Sequence, residues 1–229
     1  MANEMTPDEV KAYHLEKLGP KLGPVYHALS NDLAWLQVKW AEYKELFGTS
    51  SERIGLLNSA AGLFFQIAQD TLWEDAMLHL SRLTDRTEIR DKSNLTIRAL
   101  PGLCKDSVLR TQVTELVDAA VEATAFARDW RNRHIGHRDL ALALETGATP
   151  LASASRAQVS QALSSIHAVL NAISETLLDS TLIEDVIAPG TGALALLYVI
   201  RDGVEADKVR TERIRTGRPA PGDLGHRPV

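Results

Sequence analysis

Residues 128–140 read RDWRNRHIGHRDL and gather four arginines and two histidines in a chain that is acidic overall, with 25 Lys and Arg against 30 Asp and Glu. These residue types suit one reaction. Cleavage of RNA by its own 2′-hydroxyl needs a group that takes a proton from that hydroxyl or gives one to the leaving 5′-oxygen. Histidine titrates near neutrality and fits the task. The reaction also needs a fixed cation against the phosphate, and arginine offers a planar fork that keeps its charge. A polar neighbour can position the phosphate. Arg131, Asn132 and His137 supply these three parts, with no metal and no organic cofactor. Arg128, Arg133, His134 and Arg138 surround them as candidate binding residues.

Spacing leaves the register open. On an unbroken α-helix, six residues leave Arg131 and His137 about 120° apart around the axis and about one and a half turns apart along it. Gly136, directly before His137, can loosen the helix there. Alternatively, the two side chains serve a cleft shared by two protomers. His134, three residues after Arg131, is better aligned and competes for the role. A plainer reading stands beside these. Arg128, Arg131 and Arg138 lie close to one helical stripe and can pair with Asp129, Asp139 or acidic residues of neighbouring helices on a solvated face.

Three other readings fail or reduce to structure. HRDL at 137–140 copies part of a kinase catalytic loop, but that loop needs Asn where Leu144 stands. His134 and His137 share a helical spacing that suits a metal, yet there is no HExxH and the one cysteine, Cys104, is isolated, so no metal site is expected. His79, in WEDAMLHLSRLTD, sits among apolar residues and reads as a hydrogen-bonded core or interface histidine.

The elements that must hold these residues are helices. Apolar residues recur at spacings of three and four, and no alternating strand is evident. The pattern predicts a short helix from Pro7 to Leu18 with Thr6 as its N-cap, a break at GPKLGP, and a second helix from Val25 to Leu46 ended by Gly48. A third runs from Ser51 to Leu83. TDRTEIRDKSNLTIRALPG is a connector. A fourth helix begins near Lys105 and continues into the 128–140 stretch. Ser153 or Ser155 caps a fifth to about Leu178, and a last one covers Ala193 to Ile214. The predicted fold is an all-α bundle of about five to six helices. Its expected segments are a short helix and linker at 1–24, the bundle at 25–180, a helical extension at 181–214 and a disordered Pro/Gly-rich tail at 215–229.

Composition bounds the setting. A net charge of −5 gives no global basic field to draw the chain onto DNA or an anionic membrane, so any nucleic-acid contact is local. The single cysteine excludes an intramolecular disulfide framework, the N-terminus carries no signal-peptide pattern, and ALALLYVI is too short to span a bilayer. A cytoplasmic protein without membrane contact is expected. Trp73, Met77, Leu80 and Trp130 offer apolar surface for a two-fold interface, which predicts a homodimer.

RNRHIGH resembles the Arg-polar-x4-His signature of the HEPN superfamily, small all-α domains common in prokaryotic toxin and phage-defence systems. WEDAMLHLSRLTD, NLTIRALPGL and RNRHIGHRDL, in this order, resemble its AbiU-type abortive-infection branch over roughly Leu46 to Leu144. The resemblance implies a dimeric bundle with two Arg/His pairs at the subunit interface. It implies a metal-independent endoribonuclease acting as a toxin or defence effector, in which Arg131 binds phosphate, Asn132 positions it and His137 is the acid/base. RNA would be its substrate, and an antitoxin or other protein its partner. Some superfamily members do not cleave, so the second expectation is a dimeric helical module that binds a nucleotide, RNA or a protein.

Overall fold

In the computed structural model, residues 5–184 and 191–225 are described, and they are helical nearly throughout. The described residues divide into two compact units, 5–40 with 73–184 and 41–72 with 191–225. This division differs from the segments expected at 25, 181 and 215. Residues 5–24 belong to the first unit, where His14 Nδ1 lies 3.2 Å from His27 Nδ1, and residues 41–72 belong to the second.

Helix α1 (Pro7–Phe47) opens on a capping box: the Thr6 amide donates to Glu9 Oε2 at 2.7 Å, and the Glu9 amide donates to Thr6 Oγ1 at 3.3 Å. The break expected at GPKLGP falls inside this span, at Gly19, whose φ of 79° only glycine adopts freely. The Gly48 amide closes the helix on the Lys44 carbonyl at 2.8 Å. Helix α2 (Ser51–Leu83) fills the predicted span but is interrupted by an extended residue, Ala61, that the apolar periodicity does not announce.

The connector holds two short antiparallel strands, β1 (Glu88–Ile89) and β2 (Lys92–Ser93), where no strand was expected. Arg90 and Asp91 turn between them with φ of 48° and 64°, the positive values of a tight hairpin turn. A 3₁₀ turn (Ile97–Ala99) and helix α3 (Leu100–Leu103) follow. Helix α4 (Ser107–Ala123) starts after Asp106, whose carboxylate accepts from the Leu109 amide at 2.8 Å. Thr124 interrupts the expected continuous helix before α5 (Ala125–Trp130). A π-helical turn (Arg131–Ile135) and helix α6 (Leu140–Ala143) complete the motif region.

Of the two serines, Ser155 caps α7 (Arg156–Leu177), accepting from the Gln158 amide at 3.2 Å. Leu109, Val113 and Val117 of α4 and Val159, Leu163, Ile166 and Leu170 of α7 are buried, and the two helices form the most extensive packing of the first unit. Met77 and Leu80 of α2 are wholly buried in the same unit, so they are core residues of one protomer and not the interface surface the sequence suggested. Trp73 and Trp130 are half-buried against each other, ring centroids 6.1 Å apart.

In the second unit, Arg53 bonds the Glu45 carbonyl at 2.8 Å and its carboxylate at 2.6 Å, and the Ala193 amide at the start of α8 (Ala193–Arg215) donates to Glu42. The tail was expected to lack order. Residues 216–225 instead turn back on α8, because Asp223 accepts a bidentate pair from Arg213 at 2.8 and 2.9 Å and the Ala220 amide at 2.7 Å. The Arg213 pair holds the Asp223 carboxyl down at about 2. Residues 226–229 lie outside the described residues. Among the described residues no helix is long and apolar enough to cross a membrane.

Candidate functional site

The end of α2 and the start of the motif are built as one unit. Ser81, Thr84 and Asp85 occupy the last turn of α2 and the residues just beyond it, spaced to meet the face that α5 presents. Arg131 Nε donates to Ser81 Oγ at 3.1 Å, and Arg131 Nη2 donates to Asp85 Oδ2 at 2.9 Å. Arg128 Nη2 donates to the Thr84 carbonyl at 3.0 Å and to its hydroxyl at 3.1 Å. Thr84 and Thr124, both fully buried, meet hydroxyl to hydroxyl at 2.8 Å. Thr96, also fully buried, shares its hydroxyl proton between the carbonyls of Leu83 and Asp85 at 3.0 and 2.9 Å. Buried hydroxyls with complete bonding fix a unique packing, since leaving one unpaired there is costly. This knot sets where Arg128 and Arg131 stand.

The helix then widens. The Gly136 amide bonds the Arg131 carbonyl at 2.7 Å, five residues back, which makes the π turn. A side chain at 136 would place its Cβ 2.9 Å from that carbonyl oxygen, so glycine alone fits without a shift. The α-helical register between Arg131 and His137 therefore does not hold: the helix ends at Ile135 and His137 lies in a bend. His137 is exposed and makes no hydrogen bond or ion pair among the described residues. Asn132 and Arg138 are exposed as well.

Arg133 and His134 are occupied differently. Arg133 bonds the Thr149 and Pro150 carbonyls and pairs with Asp129 at 3.5 Å and Asp139 at 3.6 Å, strapping the 136–152 loop to α5. That leaves it little capacity for a ligand, against the expectation that it binds one. His134 packs edge-on against Trp130 at 5.6 Å, and its Nε2 lies 3.5 Å from Glu74 Oε1. Trp130 Nε1 in turn donates to the Ala152 carbonyl at 2.9 Å. The solvated-face reading foresaw carboxylate partners for Arg128, Arg131 and Arg138; Arg131 has one in Asp85, Arg128 is held by Thr84 instead, and Arg138 has no ion pair among the described residues.

Charge around the site is unbalanced. Burial pushes the Arg128 guanidinium below its usual pKa, and Arg98 adds to this more than Asp85 opposes it; Arg131 and Arg86 act in the same direction as Arg98. Asp85 is the carboxylate at the centre, with Oδ2 on Arg131 and Oδ1 accepting from the Arg86 amide at 3.0 Å. Arg131 Nη1 makes no hydrogen bond among the described residues and remains able to hold an anion. No group of three or more His, Cys, Asp or Glu among the described residues is placed to hold a metal. His79 Nδ1 lies 3.0 Å from Lys39 Nζ and 3.2 Å from Asp75 Oδ2, contacts that suit a structural histidine.

Sequence reasoning named Arg131 and Arg128 but not the residues that hold them, Ser81 and Asp85 for Arg131 and Thr84 for Arg128. The signal was present: Ser81 and Asp85 are polar and four apart where the helix ends.

Residues 19–189 match the sequence model of AbiU2 proteins of the HEPN type (HEPN_AbiU2). The match contains Ser81, Asp85 and the whole of 128–140. No curated protein and no solved structure matches the chain.

Proposed function

Because the chain belongs to the AbiU2 family of HEPN proteins, we propose that it is a metal-independent endoribonuclease acting as a prokaryotic toxin or phage-defence effector. The observation that carries this reading is that Arg131 is clamped by Ser81 and Asp85 while His137, exposed and without a hydrogen bond among the described residues, follows six positions later, just past a turn that only Gly136 fits without a shift. Positioned cations and a titratable imidazole are the equipment this reaction needs.

His137 as a neutral imidazole takes the proton of the 2′-hydroxyl. The 2′-oxygen attacks the adjacent phosphorus, the bond to the 5′-oxygen breaks, and a protonated histidine returns a proton to that oxygen. The products are a 2′,3′-cyclic phosphate and a 5′-hydroxyl. Arg131, through Nη1, stabilises the charge that grows on the phosphorane, while Ser81 and Asp85 keep the guanidinium from turning away. Asn132 donates its amide to a phosphate oxygen. A homodimer supplies two Arg/His pairs, so one histidine can act as base and the other as acid. Leu140 and Leu144, exposed by 72% and 60% on either end of α6 beside His137, give such a dimer an apolar contact.

One observation favours the second reading, a dimeric module that binds a nucleotide, RNA or protein without cleaving it. The Arg131 fork already donates to Asp85, so a phosphate must share it. The test is expression of the wild type and of His137→Ala, reading growth and total RNA integrity. Arrested growth and broken RNA, both relieved by His137→Ala, support the nuclease. Identical behaviour of the two supports the binding module.

A further inference from the structure

Arg98 does not belong to the motif, yet the fold brings it to the same place. Thr96 bonds the carbonyls of Leu83 and Asp85, and Arg128 bonds the carbonyl of Thr84 between them. Arg98 follows directly, its amide on Thr96 Oγ1 at 3.3 Å. The connector and α5 thus converge on one turn of backbone, each carrying an arginine.

These arginines outweigh the one carboxylate that acts on Arg128, Asp85. Arg98 Nε is buried and has no hydrogen-bond partner among the described residues. Neither Arg98 nor Arg128 has an ion pair among them, since the nearby carboxylate, Asp85, is engaged by Arg131 and by the Arg86 amide. Arg98 and Arg128 are close enough for repulsion to lower the Arg128 pKa, and Arg86, exposed at the edge of the cluster, contributes to the same repulsion. Guanidinium groups drawn together and partly desolvated, one with an unsatisfied buried donor, are unfavourable without an anion between them. An anion with several acceptor oxygens would satisfy the donor and relieve the repulsion together.

We propose that Arg98 and Arg128, with Arg86 at the rim, form a second phosphate site that holds a phosphodiester of the RNA other than the one facing Arg131. The choice of RNA as the source of the phosphate rests on the function proposed above; the site itself does not. It makes the arginine cluster a track along the strand, which a chain of net charge −5 requires, because its nucleic-acid affinity has to be concentrated locally.

The experiment measures binding of a short labelled 2′-O-methyl RNA, which lacks the attacking hydroxyl, across a salt series. Cleavage plays no part in this readout, so a failure of the nuclease reading on cleavable RNA would leave this one standing. Arg98→Gln is expected to weaken binding about three- to tenfold at low salt and to lower the slope of log K against log salt by about 0.7, the loss of one contact to a single strand. Arg98→Lys should keep most of the slope. If Arg98→Gln unfolds, judged by circular dichroism, the exposed Arg86→Gln carries the test with the same direction of change. Unchanged affinity and slope in a folded variant overturn the proposal. Orthophosphate and ADP are run on the wild type as further arms. Weak competition by both fits a phosphate site on an RNA track, whereas tight ADP binding with no RNA binding would assign the site to a free nucleotide and overturn the RNA assignment.

Discussion

Arg131 illustrates what residue types tell and what they omit. Its type and its distance from His137 pointed to phosphate chemistry, and those are properties of thirteen neighbouring positions. Its orientation comes from Ser81 and Asp85, which lie 50 and 46 residues away in sequence. Periodicity says which face of a helix is polar, but not which distant side chain will meet it. Asp85→Asn should therefore free the guanidinium. Losing one partly buried, charge-assisted pair should cost about 1–3 kcal/mol of stability, read as a lower midpoint in urea. Cleavage should fall further than binding of an uncleavable RNA, because orientation matters most at the transition state. Cleavage and binding falling equally would mean that Asp85 only shapes the local fold.

At the level of elements, the caps and the break at Gly19 were legible, and the later interruptions were not. Thr6, Gly48 and Ser155 mark helix ends through side-chain or backbone chemistry that is local in sequence. The extended residue at Ala61 and the π turn at Arg131–Ile135 follow from packing, so propensity gives no warning of them. Gly136 is the exception, a residue whose meaning appears once Arg131 O is seen 2.9 Å from any Cβ built there. Gly136→Ala should force the turn open and reduce cleavage by at least about tenfold, with little change in global stability since the site is exposed; wild-type activity in this variant would show that the π turn is dispensable.

The helices before and after Gly19 give a second test. Burial and then His27 hold the His14 pKa below its ordinary value. A base whose folded-state pKa is depressed favours its neutral form in the fold. Its contribution is complete above the unfolded value of about 6.5 and is lost as the pH falls below it. The melting temperature should drop between about pH 7 and about pH 5, and His14→Phe should flatten that drop. An unaltered pH profile in His14→Phe would assign the acid sensitivity elsewhere.

For the whole molecule, the all-α bundle was legible because apolar spacing is a property of the entire chain. The division into units was not: it joins residues 41–72 to 191–225, and no local signal marks that partnership. The interface reading shows the same limit. Met77 and Leu80 looked like spare apolar surface and are core. Leu140 and Leu144 are the exposed pair beside the motif, and a dimer through them should give a light-scattering mass near twice 25.1 kDa. Leu140→Glu should shift that mass toward the monomer. A wild-type mass near 25.1 kDa at micromolar concentration would contradict the dimer and, with it, the supply of two histidines to one site.

The central claim is that His137, not His134, moves the proton. His134 is packed on Trp130 and set against Glu74, whereas His137 is exposed and has no hydrogen bond or ion pair among the described residues. The most direct measurement is single-turnover RNA cleavage in EDTA by the wild type, His137→Ala and His134→Ala, all shown to be folded. The wild type should cleave, His137→Ala should lose about two to four orders of magnitude in rate, and His134→Ala should lose far less. Cleavage abolished by His134→Ala and kept by His137→Ala, or wild-type activity that vanishes in EDTA and returns with added zinc or magnesium, would contradict the account.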